Sequence, residues 1–119
     1  MNAVGEILER ARRWLAENGG DGGMERAWDA AHSVVDPAGP DELSEAVREL
    51  VEAAESGNKD AESVVAAFRR FHPAGALGNP ERQRQLIGLY LVFSADGLWD
   101  TSSGIEDQHF REAVRRLFE

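Results

Sequence analysis

The 119-residue sequence contains no cysteine. This absence excludes disulfide bonds, zinc sites built from thiolates, iron–sulfur clusters and cysteine nucleophiles. A long hydrophobic run is also missing, since the longest one, over residues 86–95, is interrupted by Gly88 and Ser94 and is far shorter than the ~20 residues that a membrane span needs. Charged residues interrupt the apolar pattern near the N-terminus, which is unlike a signal peptide. We therefore expect a soluble, cytoplasmic protein.

Positive charge is scarce. Lysine and arginine total 13 against 22 aspartates and glutamates, so the formal net charge is −9. A chain of this charge lacks the basic surface that nucleic acids and anionic membranes attract, and we expect it to bind neither directly. Hydrophobic residues make up 42% and charged residues 29%, which is typical of a folded globular chain. The length predicts a single domain over 1–119.

Apolar residues recur at helical spacing in six segments, and no strand-like alternation is present. Proline, glycine and asparagine separate the segments, and these residues end helices or cap them. Asn58 is the candidate N-cap of the fourth segment. Short connections of this kind are typical of antiparallel helix packing. The sequence therefore predicts an all-α single compact bundle of about six helices. The apolar positions of the six segments fall within 4–15, 24–35, 43–54, 61–71, 86–93 and 105–117.

The fifth segment differs from the others because its apolar residues surround the helix. Asn79 and Pro80 have the chemistry of an N-cap and a first helical position, which predicts a helix over about 80–95. A helix that is apolar on all sides belongs inside the packing. We therefore expect this helix to be the central element of the bundle.

Acidic residues are concentrated between Asp36 and Glu62, where nine acids face only Arg48 and Lys59. Several of these acids recur every three or four residues on the third helix, opposite its aliphatic stripe. The first interpretation is a docking face for a basic partner. The alternative is a solvated helix face that keeps the protein soluble. The predicted partner-binding residues are Glu42, Glu45, Glu49, Glu52 and Glu55.

A second group of polar residues follows the fifth helix. Carboxylates in a glycine-containing loop are the ligands that hard cations need, although their spacing does not match an EF-hand. None of the three histidines lies three or four residues from another, so no two-histidine helical metal motif is present. A simpler interpretation is a helix end followed by a helix start. The candidate metal or acid–base residues are Asp96, Asp100, Glu106 and His109.

Residues 84–99, RQLIGLYLVFSADGLW, are followed by a final amphipathic segment over 110–118. Together they resemble the ligand-binding and dimerising end of tetracycline-repressor-type regulators, in which an apolar helix ending in Asp-Gly-Leu precedes the last helix. Residues 7–19 are similar to the first DNA-binding helix of that family, but an acidic segment stands where its recognition helix would follow. The resemblance implies a small-molecule pocket around Tyr90, Phe93 and Trp99.

These observations leave three hypotheses about function. The first is a non-enzymatic protein-binding module of the inhibitor, immunity or adaptor type, without a cofactor, which docks a basic protein through the acidic helix face. The second is a helical domain that binds a small molecule. The third is a metal-dependent or acid–base enzyme. A homodimer through the last two helices is compatible with each, because an all-round apolar helix in a small bundle can exceed what one chain covers.

Overall fold

A computed structural model describes residues 2–18, 23–94, 98 and 108–118 of the chain. Within these ranges every regular element is helical, which confirms the predicted all-α bundle. A short 3₁₀ helix, Ala74–Gly78, connects the fourth and fifth helices. The α-helices are α1 (Asn2–Glu17), α2 (Gly23–Val35), α3 (Pro40–Glu55), α4 (Lys59–Phe71), α5 (Pro80–Phe93) and α6 (Gln108–Phe118).

Local capping chemistry determines where α4 and α5 begin. The Oδ1 atom of Asn58 accepts a hydrogen bond from the amide of Ala61 at 3.0 Å, and Oδ1 of Asn79 accepts one from the amide of Glu81 at 2.8 Å. Each bond satisfies an amide that has no partner within its own helix. Both start sites match the positions that the sequence indicates.

Helix α5 is the centre of the bundle, as its all-round apolar pattern predicts. It contacts α2, α3, α4 and α6 as well as the 3₁₀ helix. Every residue from Leu86 to Phe93 is buried, so the chain itself covers this stretch on all sides. The reason given for a homodimer through the last two helices, an apolar surface of α5 left uncovered, is therefore absent from this stretch, and the homodimer itself stays a prediction.

Helix α3 lies between α1 and α4 and packs on α5. Its buried apolar side chains include Leu43, Ala46, Val47 and Leu50, and burial of this stripe leaves the opposite face of the helix at the surface. The packing therefore orients the acidic side of α3. Among the described residues, no helix combines the length and the hydropathy needed to cross a membrane.

Candidate functional site

The outward face of α3 carries carboxylates on both sides of Arg48. The guanidinium of Arg48 donates through Nη1 to Oε1 of Glu52 at 2.7 Å and through Nη2 to Oε1 of Glu45. The side chain of Arg48 is 53% exposed, that of Glu52 60% and that of Glu45 47%. The arrangement is a solvent-exposed chain of two ion pairs along one helix face.

These ion pairs shift the ionisation of both kinds of group. The hydrogen bond from Arg48 is the main cause of a lowered pKa at Glu45. In return, hydrogen bonds to Glu45 and Glu52 raise the pKa of Arg48. Glu45 and Arg48 are thus both charged at neutral pH. Exposed pairs of this type contribute little to stability, so the cations of a partner can compete with Arg48 for the carboxylates.

Glu42 lies at the edge of this face and pairs with another helix. Its Oε1 atom is 2.6 Å from Nη2 of Arg10 on α1, and its side chain is 30% exposed. Its carboxylate is therefore paired within the protein. Glu42 belongs to the contact between α1 and α3 more than to the outward face.

Glu49 corrects the expectation of an unbroken exposed row. The residue is only 9% exposed, and its carboxylate accepts hydrogen bonds from the amides of Ala3 at 2.9 Å and Val4 at 3.1 Å. These amides belong to the first turn of α1, where backbone donors lack partners within the helix. The side chain of Glu49 therefore caps α1 and is withdrawn from the surface.

The carboxylates that remain on the outside define what is called here the α3 acidic face. Asp41, Glu45, Glu52 and Glu55 are exposed, and Arg48 is the cation among them. Four negative charges against one positive charge leave an excess of carboxylate. This face is smaller than the sequence pattern suggests but keeps the predicted sign.

Two of the three predicted pocket residues lie in the hydrophobic core. Tyr90 and Phe93 are 7% and 0% exposed, and the ring of Phe93 packs edge-on against Trp28 and Phe110, with centroids 6.0 Å and 5.6 Å away. Trp99 lies outside the described residues. A cavity beside α5, lined in part by Trp28 and Gly88, measures only about 30 Å³, whereas drug-sized ligands occupy about 300–1,000 Å³.

The candidate metal residues fall almost entirely outside what the structure describes. This applies to Asp96, Asp100 and Glu106, while His109 belongs to α6 with its side chain undescribed. In the described ranges, no three histidine, aspartate or glutamate side chains are grouped so that they could hold a metal ion.

A groove between α4 and α6 is a feature that sequence reasoning missed. It has a volume of about 420 Å³, with an apolar floor and a polar rim in which three arginines face one glutamate. The arginines come from two helices that are distant in sequence, so only packing brings them together. The floor consists of Ala66, Ala67, Phe71, Phe110 and Val114, and the rim of Glu62, Ser63, Arg70, Arg111 and Arg115. This feature is called the α4–α6 groove.

Comparison with known proteins gives no family assignment: no family model, curated protein or solved structure matches this chain.

Proposed function

We propose that the protein is a non-enzymatic helical protein-binding module that docks a basic partner through the α3 acidic face. The observation that carries the proposal is the excess of exposed carboxylates on α3, four against the single Arg48. Glu49 is excluded from the contact because it caps α1. Inhibitor, immunity and adaptor proteins all fit this physical description.

Electrostatics determines how such a face would act. Complementary charge mainly accelerates association and selects partners, whereas its contribution to affinity is modest. A carboxylate face also loses attraction as salt screens it, since the Debye length falls from about 10 Å at 0.1 M to about 3 Å at 1 M. Binding through α3 is therefore expected to weaken steeply with ionic strength.

Charge reversal on α3 tests the proposal. The test variant carries Glu45→Lys, Glu52→Lys and Glu55→Lys, and all three positions are exposed, so the fold is expected to survive. A matched control makes the same charge change at exposed positions of α1 and α2, with Glu6→Lys, Glu17→Lys and Glu25→Lys. Circular dichroism and thermal melting verify that each variant folds.

Each protein is immobilised and incubated with native cell extract at low and high salt, and captured proteins are identified by mass spectrometry. We expect a basic protein that the wild type and the control variant retain at low salt and that the α3 variant loses. Capture of the same basic proteins by the α3 variant would contradict the proposal.

A further inference from the structure

The α4–α6 groove has a different chemistry from the α3 acidic face. Ala67, Phe110 and Val114 in its floor are buried at 4%, 6% and 4% exposure, while Ala66 is exposed at its edge. The small side chains of Ala66 and Ala67 leave space between α4 and α6, and this space is the groove. The apolar surface that an incoming side chain can cover therefore comes mainly from Ala66 and the half-buried Phe71, which lie beside the buried part of the floor.

The rim of the groove is positively charged, unlike the chain as a whole. Arg70, Arg111 and Arg115 surround the floor, and Glu62 is the acid among the rim residues, in a chain whose net charge is −9. Arginine is well suited to such a position, because its planar guanidinium binds carboxylates through two parallel hydrogen bonds and keeps its charge when partly desolvated. The groove thus combines apolar contact with recognition of carboxylates.

The dimensions of the groove agree with a helical ligand. The residues that line the groove run from Glu62 to Phe71 on α4 and from Phe110 to Arg115 on α6, which corresponds to about 14 Å and about 8 Å at ~1.5 Å per residue. The α4 side accommodates about two and a half helical turns, which is enough for an amphipathic helix to place apolar anchors at positions i, i+4 and i+7. Carboxylates on either side of such anchors would face the arginines of the rim.

We propose that the α4–α6 groove binds an acidic amphipathic helix of a partner protein, with its apolar residues on the floor and its carboxylates against Arg70, Arg111 and Arg115. The charge of the groove is opposite to that of the α3 acidic face. The two surfaces therefore select different partners, and the chain can bridge a basic protein and an acidic helix.

A pair of synthetic peptides tests this proposal. Both are fluorescein-labelled helices of about four turns with leucine at every third or fourth position, and the remaining positions are glutamate in one peptide and the uncharged glutamine in the other, which the α3 acidic face does not attract. Fluorescence anisotropy measures their binding to the full chain. We expect saturable binding of the glutamate peptide and at least about tenfold weaker binding of the glutamine peptide. No binding of the glutamate peptide, or equal binding of both, would overturn the proposal.

Variants of the chain locate the binding. The double variant Arg70→Glu, Arg115→Glu is expected to weaken glutamate-peptide binding about tenfold or more, since two charge contacts become repulsive. The matched control, Arg12→Glu with Arg13→Glu, changes two exposed arginines of α1 and is expected to stay within about twofold of wild type. Equal loss in both variants would mean a general charge effect and would count against the groove.

Two further measurements separate the remaining outcomes. Ala66→Gln adds bulk at the exposed edge of the floor without changing charge, and weaker peptide binding with an unchanged melting temperature supports the groove. Sedimentation velocity without peptide tests a second copy as the occupant, and a dimer that the double arginine variant abolishes would overturn the assignment. The lysine variant of α3 is expected to retain peptide binding, so failure of one proposal leaves the other testable.

Discussion

The side chain of Glu49 joins α3 to the start of α1. Helix α1 has no acidic residue in its own first turn, so the positive end of its dipole receives a negative charge from another helix. The two amides that Glu49 binds, those of Ala3 and Val4, would otherwise face a buried environment without an acceptor. A buried carboxylate of this kind is a structural element of the fold.

Replacing Glu49 with alanine is expected to lower the free energy of unfolding by about 1–3 kcal/mol, because two helix-end amides lose their acceptor. Urea denaturation followed by circular dichroism measures the change. Glu52→Ala, on the exposed side of the same helix, is the control and is expected to stay within about 0.5 kcal/mol of wild type. Equal stability of the two variants would contradict the capping role of Glu49.

Arg48 is expected to control the ionisation of Glu45. In the wild type, its hydrogen bond holds the pKa of Glu45 below the ordinary value, and Arg48→Ala should raise that pKa towards the ordinary value. A carbon-detected NMR titration of the Glu45 side-chain carboxyl measures its pKa in the wild type and in the variant. Arg12→Ala on α1 is the control and should leave Glu45 unchanged. An unchanged pKa of Glu45 in Arg48→Ala would show that the ion pair does not persist in solution.

The sign of the pH dependence follows from the same shift. The folded-state pKa of Glu45 is depressed, so its pair with Arg48 stabilises the fold fully above the unfolded-state pKa of glutamate. The contribution disappears as the pH falls through the lower, folded-state value. Stability differences between wild type and Arg48→Ala should therefore shrink in acid.

At the scale of elements, α5 contains a glycine within its buried stretch. A Cβ atom added at Gly88 would have Trp28 as its neighbour, with Cζ3 at 3.7 Å, which is an ordinary van der Waals distance. Glycine in a helix interior costs roughly 0.5–1 kcal/mol relative to alanine, because the unfolded chain has more conformations to lose. The space at Gly88 therefore allows a methyl group that also favours the helix.

We expect Gly88→Ala to stabilise the protein by about 0.5–1 kcal/mol and Gly88→Leu to destabilise it by about 1–3 kcal/mol, since the larger side chain overpacks against Trp28. Thermal and urea unfolding measure both. Gly5→Ala provides a comparison, because a Cβ at this position in α1 meets nothing within 4 Å and should stabilise by a similar amount. Loss of stability in Gly88→Ala would mean that no space for a methyl group exists between Gly88 and Trp28.

Helix α3 illustrates how an amphipathic pattern can be correct while one of its residues is misassigned. At about 100° per residue, Glu42 and Glu49 lie roughly 40–60° from Ala46 in projection, at the border of the apolar stripe. Glu45 and Glu52 lie farther round the helix. The border positions are the two that contact α1, through Arg10 and the first-turn amides. Their angular position is the signal that could have distinguished them.

At the scale of the molecule, the ring of Phe93 connects three helices. It is fully buried and packs edge-on against Trp28 of α2 and Phe110 of α6, from its own place at the end of α5. Edge-on aromatic pairs add about 0.5–1.5 kcal/mol beyond the area they bury. Phe93 is thus central to the cohesion of the bundle.

Phe93→Ala is expected to lower the free energy of unfolding by about 3–5 kcal/mol, because it leaves a cavity where three helices meet. The half-buried Phe71, on α4, provides the comparison, and Phe71→Ala should cost less. Urea unfolding monitored by tryptophan fluorescence measures both variants. A loss below about 1 kcal/mol in Phe93→Ala would instead favour a pocket wall, as the resemblance to tetracycline-repressor-type regulators implies.

Helix existence, order and core faces could be predicted from the sequence, because periodicity and capping act within a few residues of one another. The caps at Asn58 and Asn79 and the buried stretch of α5 are examples. The candidate docking face was only partly predictable. The negative charge of the face follows from the acidic composition of α3. Which residues belong to the face depends on which carboxylates are bound by groups of another helix.

Only the tertiary structure decided that Glu49 is a buried helix cap and that the α4–α6 groove exists. Glu49 caps α1 because packing brings its carboxylate to the amides of Val4 and Ala3, which lie 45 and 46 residues earlier in the chain. The groove exists because Arg70 of α4 faces Arg111 and Arg115 of α6 across an apolar floor. Sequence patterns report on neighbours along the chain, whereas both of these features arise from groups that meet only when separate helices pack together.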